Sequence, residues 1–139
     1  MNYGRLAAAA IAATVVDGVY GFVVWGKILN GEFGRYPAIY RDGGDVSGFP
    51  LMFAAIFVAM WFATVVYAKG YEGGSGLAEG LKFGAILAVV VAGYFAGANF
   101  GTMRIGGKMA MTYGAGTFVE WLIAGAIIGL VYKPVIRIR

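Results

Sequence analysis

The sequence predicts an all-α membrane protein: a bundle of four transmembrane helices with a long, aromatic-rich loop between the first and second. Three observations carry that expectation. Hydrophobic residues fill 60% of the 139 positions and charged residues only 13%, against about 45–50% and about 25% in soluble domains. Mean hydropathy is +0.77. The apolar residues also gather into four runs, each near the roughly 20 residues that a helix needs to cross a bilayer. A single transmembrane domain, residues 1–139, accommodates all four.

The first run covers about 5–26. It is too long for the apolar part of a signal peptide, and no small-x-small cleavage site follows it, so it is read as a retained span. The second, about 50–67, opens on Pro50, where a missing N–H costs little. The third covers about 77–98. The fourth covers about 109–132, and Pro134 follows it as a stop.

The connections differ in character. KGYEGGSG, 69–76, is a short glycine-rich turn that makes helices two and three antiparallel neighbours. NFGTMRIGGK, 99–108, is also short, and Asn99, Thr102 and Arg104 read as solvated turn chemistry. The first loop, 27–49, is long and mixes Phe33, Tyr36, Tyr40 and Phe49 with charges. Aromatics beside arginine suggest a segment lying in the membrane interface, with a short helix around 36–41.

Small residues recur at four-residue spacing inside the runs: Ala8/Ala12, Gly80/Gly84, Gly93/Gly97 and Gly125/Gly129. Such pairs let helix backbones approach closely in lipid. Orientation is weakly marked. Six cations fall on the side of the termini and five on the other (Lys27, Arg35, Arg41, Arg104 and Lys108). The cationic tail KPVIRIR, with Arg137 and Arg139, tips the reading toward cytoplasmic termini in a bacterial inner membrane.

The chain has no Cys and no His. Disulfides, thiolate nucleophiles, iron–sulfur ligation, Cys/His zinc sites and histidine-held haem are thereby excluded. Met103, Met109 and Met111 read as soft filler. The net charge of +4 is modest, and no basic stripe with interleaved aromatics marks a nucleic-acid partner. The glycine clusters lack the Gly-Lys-Ser/Thr ending of a phosphate loop. No serine has a base beside it, so the expectation is a protein that is not an enzyme, with no metal and no cofactor.

One stretch breaks the apolar pattern. ATVVDGVYGF places Asp17 twelve residues after Arg5 and ten before Lys27, roughly 15–18 Å from each end of its helix. Glu120, in TFVEWLIAG, stands at similar depth in the fourth span. No Lys or Arg is available there to neutralise either, and an Asp at mid-helix costs about 3 kcal/mol on insertion scales. The two acids are therefore the candidate site, either as a pair sharing a proton or as contacts that glue helices together. Tyr20, Thr14, Tyr113 and Thr117 are near in sequence and can supply hydroxyls. Trp61 and Trp121 lie deeper than Trp25, and Trp121 adjoins Glu120; both read as packing residues, with the wall of a pocket for a hydrophobic ligand as the alternative. Trp25, beside Lys27, reads as an interfacial belt residue.

The ends of the chain resemble a group of small four-helix bacterial membrane proteins of unknown function. The resemblance rests on Tyr20-Gly21 leading to Gly26-Lys27 in the first span, and on Glu120-Trp121 leading to Gly125 and Gly129 in the last. It implies a four-span bundle and transfers no site. The expected function is a structural or accessory component, packing in a homo-oligomer or with other membrane subunits in the lipid bilayer. The alternative is a small proton-coupled transporter working through Asp17 and Glu120.

Overall fold

The computed structural model describes residues 1–42 and 44–133. Pro134, Arg137 and Arg139, named above as stop and tail, lie outside the described residues. The described chain is all-helical, and four of its helical segments are long and apolar enough to cross a membrane: Tyr3–Ile28, Phe49–Gly70, Gly76–Thr102 and Gly107–Tyr132.

Helix α1, Tyr3–Tyr20, starts where the Asn2 side chain accepts a hydrogen bond from the Arg5 backbone N–H at 3.1 Å, closing one of the donors a helix N-terminus leaves open. From Gly21 to Ile28 the same rod widens into a π-helix. At its end the Leu29 N–H reaches the Val24 carbonyl, five residues back, at 2.8 Å. The apolar run alone predicts ordinary α-helix through this stretch. Such wide turns are rare and recur at functional sites.

A one-turn helix α2, Asn30–Phe33, follows. The expected helix over 36–41 is not there: Pro37 follows Tyr36, and a residue before proline is disfavoured in α geometry. Helix α3 spans Phe49–Gly70 with Pro50 in its first turn. Helix α4, Gly76–Thr102, is longer than expected at its far end. Asn99 and Thr102, read as turn residues, belong to the helix: Asn99 is buried, and the Thr102 hydroxyl donates to the Ala98 carbonyl at 2.6 Å. Helix α5, Gly107–Tyr132, returns after a connection of only four residues, 103–106.

The α3–α4 turn is closed by Glu79, whose carboxylate accepts from the Glu72 N–H at 3.0 Å and the Gly74 N–H at 2.5 Å. Gly73 takes φ of +98° there, a conformation natural only to glycine.

The four spans pack in the order α3, α1, α5, α4, with α1 against both α3 and α5, and α4 seated chiefly on α5. The α4–α5 contact is backbone on backbone. Gly76, Gly80 and Gly84 of α4 face Gly125 and Gly129 of α5; a Cβ on Gly84 would stand 2.7 Å from the Trp121 carbonyl oxygen, and one on Gly80 2.9 Å from the Gly129 Cα. Two of the expected small-residue pairs thus meet each other. The other two do not pack this way: Ala8 is exposed, its neighbours Ala9, Ala10 and Ala13 being the buried ones, and Gly93 and Gly97 have nothing within 4 Å.

Two apolar cores result. One joins Leu6, Ala9 and Ala13 to Met60, Ala63, Tyr67, Ala124, Ile128 and Tyr132, with Trp61 and Trp121 packed on its flank. The other gathers Ile105, Met109 and Tyr113 at the start of α5, covered by Trp25, Phe33, Tyr36, Ile39 and Tyr40. Phe33, Tyr36 and Tyr40 of the first loop therefore turn inward onto the protein. Phe49 stays exposed.

Candidate functional site

Between the two cores the helices part and leave a cavity of about 770 Å³, bounded by α1 and its π-helical extension, the first loop, α3 and α5. Its size falls in the range of small-molecule sites, roughly 300–1,000 Å³. Asp17 and Glu120 both line it. Asp17 is the fifteenth residue of its 26-residue span and Glu120 the fourteenth of its own, so the two antiparallel helices present them at matching depth.

The two carboxyl groups are held differently. Glu120 accepts a hydrogen bond from the Trp25 indole N–H at 3.1 Å. Asp17 is 8% exposed, and among the described residues no donor reaches its carboxylate. A nearly buried acid with no partner in the protein is a costly thing to keep at mid-span.

Trp25 reaches Glu120 because two local features cooperate. The π-helical turn places Gly21 and Phe22, then Trp25 and Gly26, toward the cavity. Opposite, Gly116 of α5 leaves room for the indole: a Cβ there would stand 2.8 Å from the ring's Cζ2. Tyr20 adds a second tie across the same pair of helices, its hydroxyl donating to the Gly116 carbonyl at 2.8 Å.

Aromatic rings form much of the remaining wall. Trp25 lies 5.7 Å from Tyr113 and 6.0 Å from Phe33 between ring centroids, and Tyr40 meets Phe33 edge-on at 5.0 Å. The Tyr40 hydroxyl is buried beside that of Tyr113 and makes no hydrogen bond of normal geometry among the described residues. Arg41 is the single cation among the lining residues. It is engaged by Asp45 at 2.7 Å and Ser47 at 2.9 Å. That pairing, with the Ser47 backbone N–H on Asp45 at 3.0 Å, pulls the Asp45 carboxyl down to about 2; the Ser47 hydrogen bonds are the first cause and Arg41 the next.

The structure therefore brings Asp17 and Glu120 to one cavity, and leaves Tyr20 and Trp121 beside it rather than in its lining. Trp121 packs on the neighbouring core. Thr117 and Tyr113 line the cavity, whereas Thr14 bonds the Ala10 carbonyl of its own helix at 2.8 Å. Trp25, read as a belt residue, is a wall residue bonded to Glu120. Sequence reasoning also missed Phe33, Tyr40 and Gly116 as site residues. The signal available was the crowding of aromatics in the first loop, which pointed to the membrane interface only because no partner for them was visible. Among the described residues no group of three or more His, Cys, Asp or Glu is placed to hold a metal ion.

No family model, no curated protein and no solved structure matches the chain.

Proposed function

We propose that this chain is a small membrane carrier in which protons and a solute compete for the Asp17–Glu120 pair. One observation carries the reading: the two mid-span acids, from helices running in opposite directions, line one cavity of solute size. Glue between helices would bring each acid a partner, and Asp17 has none among the described residues. The division of roles follows from the bonding. Glu120, anchored by Trp25, keeps a fixed position; Asp17 is the group free to take a cation or a proton. We place the termini on the cytoplasmic side of a bacterial inner membrane, from the cations of the sequence's tail.

The test is proton flux in proteoliposomes carrying an internal pH dye. Na⁺, K⁺ and benzyltrimethylammonium are added one at a time across a pH gradient. At least one should drive proton movement in the native protein, and Asp17→Asn and Glu120→Gln should abolish it. Flux that is the same in native protein, both variants and empty vesicles refutes the carrier.

A structural or accessory role has one specific support. Gly93, Gly97 and Gly101 make a stripe along α4 with nothing within 4 Å among the described residues, and small residues at that spacing suit contact with another helix. Purification in mild detergent with mass spectrometry of co-purifying subunits tests it. A stoichiometric set of larger membrane proteins supports the accessory role, and the chain alone refutes it.

A further inference from the structure

The cavity also says what kind of solute it suits. Resting on the carrier reading, we propose that its ligand is an organic monocation: an ammonium group on Asp17 and an apolar body against the rings of Trp25, Phe33 and Tyr113.

Charge gives the first constraint. Asp17 and Glu120 stand at mid-span, and Arg41, the cation among the lining residues, is already paired with Asp45. An anion would meet repulsion from the two acids, and the one cation among the lining residues is already engaged. A cation would supply what Asp17 lacks.

Coordination gives the second. A hard metal ion asks for about six to eight oxygen ligands, or a near-ideal octahedron. Two carboxyl groups without a third His, Cys, Asp or Glu in reach do not provide that. The cavity of about 770 Å³ is also many times the volume of a bare ion. An organic body fills it.

The walls give the third. Ring faces attract a cation within about 6 Å of their centroids, and the attraction strengthens when water is excluded. Trp25, Phe33 and Tyr113 all line the cavity, the ring centroids of the latter two 6.0 and 5.7 Å from that of Trp25, and the Trp25 N–H is on Glu120.

Direct binding to the full chain in detergent tests the assignment, by calorimetry. Benzyltrimethylammonium is compared with its uncharged carbon analogue neopentylbenzene. The cation should bind at least roughly tenfold tighter than the uncharged analogue. Asp17→Asn should remove that margin and Asp17→Glu should keep most of it. Equal binding of cation and uncharged analogue to the native chain overturns the assignment, even if Asp17→Asn fails to fold. An Asn variant that elutes normally and still prefers the cation overturns it too. The two proposals separate cleanly. Charge-selective binding without coupled proton flux sinks the carrier and leaves the ligand class standing. Asp17-dependent flux driven by Na⁺ or K⁺, with no binding of the ammonium compounds, does the reverse.

Discussion

The indole N–H of Trp25 donates to the carboxyl group of Glu120 at 3.1 Å, joining the widened end of the first span to the middle of the last. Ninety-five residues of sequence separate the two. Trp25→Phe keeps most of the apolar bulk and removes the donor. Loss of a buried hydrogen bond of this kind costs about 1–3 kcal/mol. The expected result is a lower melting temperature in detergent, together with weaker proton-coupled flux. Unchanged flux would mean that Glu120 needs no anchor.

Gly116 offers an independent way to move the same ring. A Cβ at this position meets the indole at 2.8 Å, so Gly116→Val should displace Trp25 without altering either polar group. With Trp61 and Trp121 replaced by Phe, the single remaining tryptophan reports its surroundings. Its emission should shift to the red as the indole leaves the carboxyl group and meets solvent. An unshifted spectrum would place the ring elsewhere.

The glycine seam between α4 and α5 makes a prediction about stability alone. Gly125 has the Gly80 carbonyl oxygen 2.5 Å from where its Cβ would be, and that oxygen is backbone that cannot swing aside. Gly125→Leu should destabilise the fold by about 1–3 kcal/mol or more through overpacking, read as a lowered melting temperature. Gly97→Leu, with nothing within 4 Å, should change the melting temperature little in the isolated chain.

The first loop has a pH dependence set by Asp45. Its carboxyl is depressed from 3.8 to about 2 in the fold. The order it lends is therefore fully present above 3.8 and disappears as pH falls through about 2. Amide exchange at Ser47, corrected for the intrinsic rate, should show steady protection down to 3.8 and loss below it. Asp45→Asn should remove the transition. A transition that survives in the Asn variant would point to another group.

Lys108 and Glu32 form a 2.9 Å pair that ties α2 to the first turn of α5, and Lys108 is the leading cause of the lowered Glu32 pKa. Lys108→Glu should speed amide exchange over residues 30–33. Combining it with Glu32→Lys should restore protection. If the double variant exchanges as fast as the single one, the pair is a surface coincidence of the kind that contributes little.

The spans were legible in the sequence because hydropathy and length are local properties. Asp17 and Glu120 stood out for the same reason, each being a charge in an apolar run. Their meeting was not legible, since it depends on which helix faces touch. Trp25 shows the limit most clearly. Its neighbour Lys27 suggested an interfacial residue, whereas the π-helical turn and the gap at Gly116 direct it to Glu120. The glycine pairs were visible as pairs, but spacing alone did not distinguish Gly80/Gly84, which interlock, from Gly93/Gly97, which do not. Asn99 and Thr102 were misread because their polarity suggested a turn, whereas Asn99 is buried within the helix and the Thr102 hydroxyl bonds the helix's own backbone.

The order of packing has a consequence for how the chain is made. The first span's partners are α3 and α5, and Glu120 emerges from the ribosome 103 residues after Asp17. At roughly 5–20 residues per second, that is a wait of about 5–20 s. Throughout it the nascent first span must hold an acid without its eventual companion, close to the insertion machinery or in lipid. The cavity is thus a late product of translation, completed only once α5 has been made.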